Sequence, residues 1–315
     1  MNSRKIIEWL LEGDVSVQYQ VGRDLLGVDK KELQDRIATE GWGMEFLARR
    51  KTDGHWGDRF YQPKWICTHY TLLDLRNLNL PPNHPLVQET IERVLQDHRA
   101  DDGGIRLGPS TAERSDVCVN AMVLNYAAYF QADENQLVPI VDSILNECMP
   151  DGGFNCRTVR SGAKHSSLHT TISVLEGLTE FQNAGHEYQK DRIVLARKTA
   201  VEFILQHQLF LSDKTGLLIH KDFLKLVYPS RWKYDILRAM DYFQAAGIAW
   251  DDRMAAAFQM LQQKRNADGT WNTAAAHPGQ VHFTMEKAGK PSRWNTLRMM
   301  RVMRHFDPTR LSLPL

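Results

Sequence analysis

Asp116, Cys118 and His169 are three residue types that together bind a zinc-type metal while leaving one position open for chemistry. The stretch Ser115-Asp116-Val117-Cys118-Val119-Asn120 opens an apolar segment that continues through Val123, Leu124, Tyr126, Ala127 and Phe130. Inside a regular helix a carboxylate and a thiol two residues apart diverge by about 200°. At a helix start they need not, because Asp116 can hold the non-helical cap position while Cys118 lies in the first turn. His169 opens a second segment of the same kind, Leu168-His169-Thr170-Thr171-Ile172. Two anions and a neutral imidazole balance a dication, and a helix N-terminus lowers the pKa of a thiol. The open position would bind and deprotonate a substrate thiol. The same residues also admit a structural reading, in which Asp116 caps its helix, Cys118 packs as a small apolar group and His169 bonds a backbone carbonyl. His69 follows Cys67 at the same two-residue spacing, so Cys67 and His69 with Cys118 and His169 form a rival ligand set.

The elements that must position these groups repeat. Asp-Gly or Asp-x-x-Gly turns recur at Asp53, Asp102, Asp151, Asp213 and Asp268, four of them with Trp, Ile or Phe three residues after the Asp. Such a turn needs positive φ, and the apolar residue after it is placed to sit beneath neighbouring helices. Before each turn the pattern is amphipathic and helical, as in Leu86, Val87, Ile91, Val94 and Leu95 with Glu89, Glu92 and Arg93 between them. After each turn comes a loop and then a more apolar helix, starting near Thr68, Ser115, Ser167, Arg231 and Arg293. A further pair fits near 4–12 and 16–26, and no segment alternates as a strand would. Six pairs of unequal polarity predict an all-α chain, an α/α toroid with six inner and six outer helices, forming one domain over residues 1–315. The inner-helix N-termini then share one rim, where their dipoles favour anions.

Composition bounds the function. A net charge of +1 gives no electrostatic case for nucleic acid, and four cysteines in 315 residues are too few for a disulfide framework. Glu8 and Glu12 interrupt any signal-like apolar run, and no stretch is long and apolar enough to span a membrane. These features predict a reduced, soluble, cytoplasmic protein.

On its Asp-Gly turns and its Asp-x-Cys and His-Thr helix starts, the chain resembles the α/α-toroid superfamily of protein prenyltransferase β-subunits and squalene/terpene cyclases. In the β-subunits, Asp-x-Cys and a later His-Thr hold zinc, so the resemblance implies Zn bound by Asp116, Cys118 and His169. It also implies a diphosphate contact at His69, one repeat upstream. The family's Arg and Lys before Asp-x-Cys are replaced here by Ser110 and Glu113, with Arg114 the nearby cation. The cyclases' Asp-x-Asp-Asp acid is absent. A Cys/Cys/His set would instead resemble peptide thioether cyclases, which are also helical toroids. The duplicated Pro229-Ser230-Arg231-Trp232 and Pro291-Ser292-Arg293-Trp294 mark the last two inner helices and offer Arg231 and Arg293 as anion contacts on the rim. Tyr70, Trp232 and Trp294 are candidates to line an apolar pocket. The resulting expectation is a zinc-dependent, prenyltransferase-like enzyme that moves an isoprenoid-like group to a thiol, with a partner chain. The alternatives are a metal-independent isoprenoid cyclase using Asp116 or Asp235 as acid, and a non-enzymatic lipid- or peptide-binding toroid with structural zinc. The geometric expectation is that the ligating atoms of the three residues lie within about 3–5 Å of one another and face the central cavity.

Overall fold

A computed structural model describes residues 3–108 and 114–307. Ser110 and Glu113, which stand where the β-subunits carry their cations, lie outside the described residues. The α-helices are, in chain order, α1 Ser3–Leu11, α2 Val15–Leu25, α3 Lys31–Arg36, α4 Gly41–Leu47, α5 Thr68–Asn77, α6 Pro85–Asp97 and α7 Val117–Tyr129. They continue as α8 Glu134–Leu145, α9 Arg157–Ser161, α10 Leu168–Asn183, α11 Lys190–Gln206, α12 Ile236–Ala245, α13 Ala255–Gln263 and α14 Arg293–Phe306.

Polarity sorts them into two rings. In α6 only the stripe Val87, Thr90, Ile91, Val94 and Leu95 is buried, as suits an outer helix. In α7 nearly every residue from Val117 to Ala128 is buried, as suits an inner one. The inner ring runs α2, α5, α7, α10, α12, α14, with α5 on α7, α7 on α10, α10 on α12 and α12 on α14. It closes where α14 packs on α2 and where Gln20 Nε2 of α2 donates to the Asn77 carbonyl at the end of α5, at 2.9 Å. The α/α toroid expected from the repeat is the observed fold. Inner helices approach closely where Gly177 of α10 faces α7: a Cβ there would stand 2.3 Å from the Ala121 carbonyl oxygen.

The repeated turns act as clamps. Asp102 Oδ1 accepts from Gly104 N at 3.0 Å, holding Gly103 at φ 82°, while its Oδ2 accepts from Ser115 N at 2.6 Å, just before α7. Asp151 likewise reaches Ser166 N at 2.8 Å, ahead of α10. The buried residue after the turn then donates its backbone N–H to the next inner helix. Ile105 donates to Asn120 Oδ1 at 2.8 Å, Phe154 to Thr171 Oγ1 at 3.0 Å and Trp271 to Thr296 Oγ1 at 3.0 Å. Turn, outer helix and inner helix are thereby locked in one register.

Two details depart from the sequence expectation. A two-residue strand pair, Trp271–Asn272 with Pro291–Ser292, is present and is too short to show any alternation. The short helix α9 fills part of the loop before α10. The loops leading into the inner helices are long and fold over their N-terminal end. Trp65 N donates to Gln280 O at 2.7 Å and Gln280 N returns to Lys64 O at 2.9 Å. The loop before α12 joins this cover through Ala274 N to Leu226 O at 2.8 Å.

Candidate functional site

Beneath that cover lies a cavity of ≈ 390 Å³ to which all six inner helices contribute. Arg23 comes from α2, Arg76 from α5, Asn125 from α7 and Glu176 and Glu180 from α10. Arg238 and Asp241 come from α12, Trp294, Arg298 and Arg301 from α14, and Tyr228 and Arg231 from the loop before α12. In α2, α5, α7 and α10 these residues lie in the C-terminal half of the helix. An anion-binding rim at the inner N-termini is therefore not where this cavity sits. The helix dipoles turn their negative end towards it, and arginine supplies the positive charge instead.

That charge is wired into ion pairs. Arg238, with 6% of its side chain exposed, donates to Glu176 at 2.8 and 2.6 Å. It also holds the loop before α12 by bonds to the carbonyls of Lys233 at 2.7 Å and Arg231 at 3.2 Å. Asp241 accepts from Arg298 Nε at 3.1 Å and Arg301 Nη2 at 3.0 Å. Arg301 reaches on to Asp24 at 2.9 Å, and Arg23 pairs with the same carboxylate at 2.6 Å. Arg76 pairs with Glu180, and Arg231 with the buried Asp74. Burial outweighs that guanidinium and pushes the Asp74 carboxyl up to about 6.

Six arginines thus meet five carboxylates, Asp24, Asp74, Glu176, Glu180 and Asp241. Several polar atoms of the lining are left over: Arg76 Nε, Arg298 Nη1, Arg301 Nε, Trp294 Nε1 and Asn125 Oδ1 are buried and find no hydrogen-bond partner among the described residues. Orphaned buried donors of this kind carry a cost of about 1–3 kcal/mol each unless water or a ligand meets them. The wall also carries a broad aromatic face, with Tyr228 stacked on Trp294 at 4.7 Å and 20° between planes.

The expected zinc site is differently arranged. The Nδ1 of His169 accepts from Tyr234 N at 2.8 Å, and its ring packs edge-on against Trp232 at 5.1 Å and Phe223 at 5.3 Å. Burial and the nearby Lys233 and Arg238 charges lower its pKa to about 4, so the imidazole is neutral. It holds the start of the next inner helix, close to the structural reading of this residue. Asp116 and Cys118 lie at the N-terminal end of α7, near Tyr61, whose phenol burial pushes up, with smaller contributions from both. Among the described residues no three His, Cys, Asp or Glu side chains group to hold a metal ion.

The other candidates scatter. His69 is fully buried, with Nδ1 3.5 Å from the Tyr126 hydroxyl, Nε2 unpartnered, and a pKa lowered to about 3 by burial. Tyr70 places its hydroxyl 3.0 Å from that of Tyr61. Arg114 pairs with Glu147. Arg293 does not join Arg231, since its guanidinium lies 4.6 Å over the Trp9 ring of the outer helix α1 and its Nε bonds the Trp9 carbonyl at 3.1 Å. Of the residues singled out from the sequence, Arg231 and Trp294 line the cavity.

No protein-family model and no curated protein matches the chain. Among solved structures it is similar to a polysaccharide lyase, at a TM-score of 0.52 with 13% identity, covering 99% of each chain. It is also similar to a glycosyl hydrolase family 88 protein from Bacteroides vulgatus, at a TM-score of 0.50 with 11% identity, over 96% of this chain and 98% of the other. Both matches run the length of the toroid. The likeness is one of fold.

These neighbours correct the family resemblance. The structures matched are proteins named for polysaccharides and glycosides, not prenyltransferase β-subunits or terpene cyclases. The site gives the physical reason: a cavity walled by six arginines is no solvent for an isoprenoid chain, and the three zinc-type ligands do not form a group. The prenyl-transfer reading, its terpenoid alternatives and the lipid-binding reading fall with it. No helix among the described residues is long and apolar enough to cross a membrane.

Proposed function

We propose that the protein binds an acidic saccharide in the central cavity and cleaves one of its linkages. The observation that carries this reading is the set of buried, unpartnered donors in the lining, Arg76 Nε, Arg298 Nη1, Arg301 Nε and Trp294 Nε1. A carboxylate or sulfate on a sugar supplies acceptors for guanidinium nitrogens, and hydroxyls supply both acceptors and donors. The Tyr228–Trp294 pair offers a flat face to the apolar side of a pyranose ring, while Asn125 Oδ1 accepts from a hydroxyl. The names of the two structural neighbours point to the same substrate class. Glu176, Glu180 and Asp241 are the lining carboxylates available for proton transfer, each positioned by an arginine.

The test is incubation with acidic and neutral oligosaccharides, following new reducing ends and the ultraviolet absorbance of an unsaturated uronate. Elimination gives both signals and hydrolysis only the first. Binding and turnover confined to acidic substrates, and lost in Arg298→Met, are expected. Equal binding of neutral and acidic sugars, or no binding of either, overturns the proposal.

A further inference from the structure

The cavity continues outwards. Arg23, Gln244, Ala245 and Arg301 line both it and a second depression of ≈ 490 Å³ at the C-terminal end of the inner helices, where Arg304 and His305 complete the wall. Here three guanidiniums, of Arg23, Arg301 and Arg304, face the single carboxylate of Asp24. Both oxygens of Asp24 are already taken: Oδ1 by Arg23 Nε at 2.6 Å, and Oδ2 by Arg23 Nη2 at 3.1 Å and Arg301 Nη1 at 2.9 Å. Arg304 reaches only the Asp24 backbone carbonyl, at 2.6 Å. His305 bonds the Ile248 carbonyl at Nε2 at 3.0 Å, and Asp241, the other carboxylate Arg301 reaches, is shared with Arg298, so four guanidiniums meet two carboxylates and Arg304 has no carboxylate partner among the described residues.

Part of this is ordinary helix grammar, because Arg304 and His305 occupy the last turn of α14, where cations offset the dipole. Arg301 has a different placing. It lies a turn earlier, bridges Asp24 and Asp241, and still has its buried Nε unpartnered. It therefore links the inner cavity and the mouth as one continuous cationic path.

Building on the function proposed above, we propose that this mouth is a second anion subsite, so that the ligand is an acidic oligosaccharide rather than a single acidic sugar. One charged unit occupies the cavity, and the next is met by Arg23, Arg301 and Arg304 as the chain leaves through the C-terminal face. The shared chemistry is that of a carboxylate or a sulfate carried on adjacent sugar units.

Calorimetry on the full chain separates these sources with two pairs of probes, galacturonate with its tetramer and a sulfated hexosamine with a chondroitin sulfate tetrasaccharide. For at least one pair the tetramer should bind about fivefold or more tightly than the single sugar, the equivalent of about 1 kcal/mol for a half-exposed charge contact. Arg304→Ala should bring that ratio close to one, Arg304→Lys should restore much of it, and raised salt should shrink it. A ratio near one for both pairs in the wild type, or a ratio unchanged in Arg304→Ala, overturns the subsite while single-sugar binding leaves the cavity reading standing. If no probe binds at all, both proposals fall.

Discussion

Arg238 is the side chain whose loss should tell most about how the cavity is built. Its guanidinium makes two bonds to Glu176, two to the carbonyls of Arg231 and Lys233, and one to Ser173 Oγ at 3.3 Å. Arg238→Met keeps much of the volume and removes all five. It leaves a mostly buried carboxylate without its cation and two carbonyls without a donor. Breaking a buried pair from one side costs about 3–5 kcal/mol, so a loss near the middle of that range is expected. Glu176→Gln keeps an acceptor for the guanidinium and should cost about 1–2 kcal/mol. The double variant Arg238→Met/Glu176→Gln removes both charges and leaves no orphaned ion. It should be more stable than the sum of the two single losses predicts, by about 2 kcal/mol. Urea unfolding, reading the midpoint and its slope separately, measures all four corners. If Arg238→Met lies within about 1 kcal/mol of the wild type, or if the effects simply add, Arg238 is not the tie described here.

Other expectations follow from single contacts. Burial lowers the pKa of His169, as it does those of His277 and His282, to about 4, below the value of about 6.5 for an exposed imidazole. The unfolded chain therefore binds more protons between these values. Stability should be full above about pH 6.5 and fall as the pH drops towards 4, with His169 alone contributing about 3 kcal/mol to the fall. A flat stability profile over that interval contradicts the burial argument. Gly177→Ala drives a methyl into the Ala121 carbonyl and should cost about 2 kcal/mol or more by thermal or urea unfolding. Trp294→Ala removes the stacking face beside Tyr228 and should weaken saccharide binding at least tenfold by calorimetry. Arg293→Ala, which acts on α1 rather than on the cavity, should leave that affinity within about twofold.

The toroid was legible because the Asp-Gly turns carry a backbone requirement, positive φ, that few residues satisfy, and because helix polarity alternated between them. The candidate site was less legible, for two reasons. Asp116-x-Cys118 and His169 do open consecutive inner helices, but spacing along the chain does not say which way a side chain leaves a helix start. His169 turned to the N–H of Tyr234, on the next helix. The informative signal lay in charges set into apolar helices: Glu176 beside Leu175 and Leu178, Arg238 between Leu237 and Ala239, Arg298 between Leu297 and Met299. A charge in a helix buried on all sides must find a counter-ion or a cavity. Tyr228 and Asn125 give no such signal, and only the closing of the ring brings them to the wall.

Closure also fixes a number. An open stack of helix pairs can gain or lose a unit at either end and keep every remaining interface. In this chain Arg301, on the sixth inner helix, is bound to Asp24 on the first. Removing one pair would part those two charges and strand both away from water. Adding one between α14 and α2 would part the same two charges. Gain or loss of whole repeats is therefore closed to this chain, and change has to come through the loops or one residue at a time.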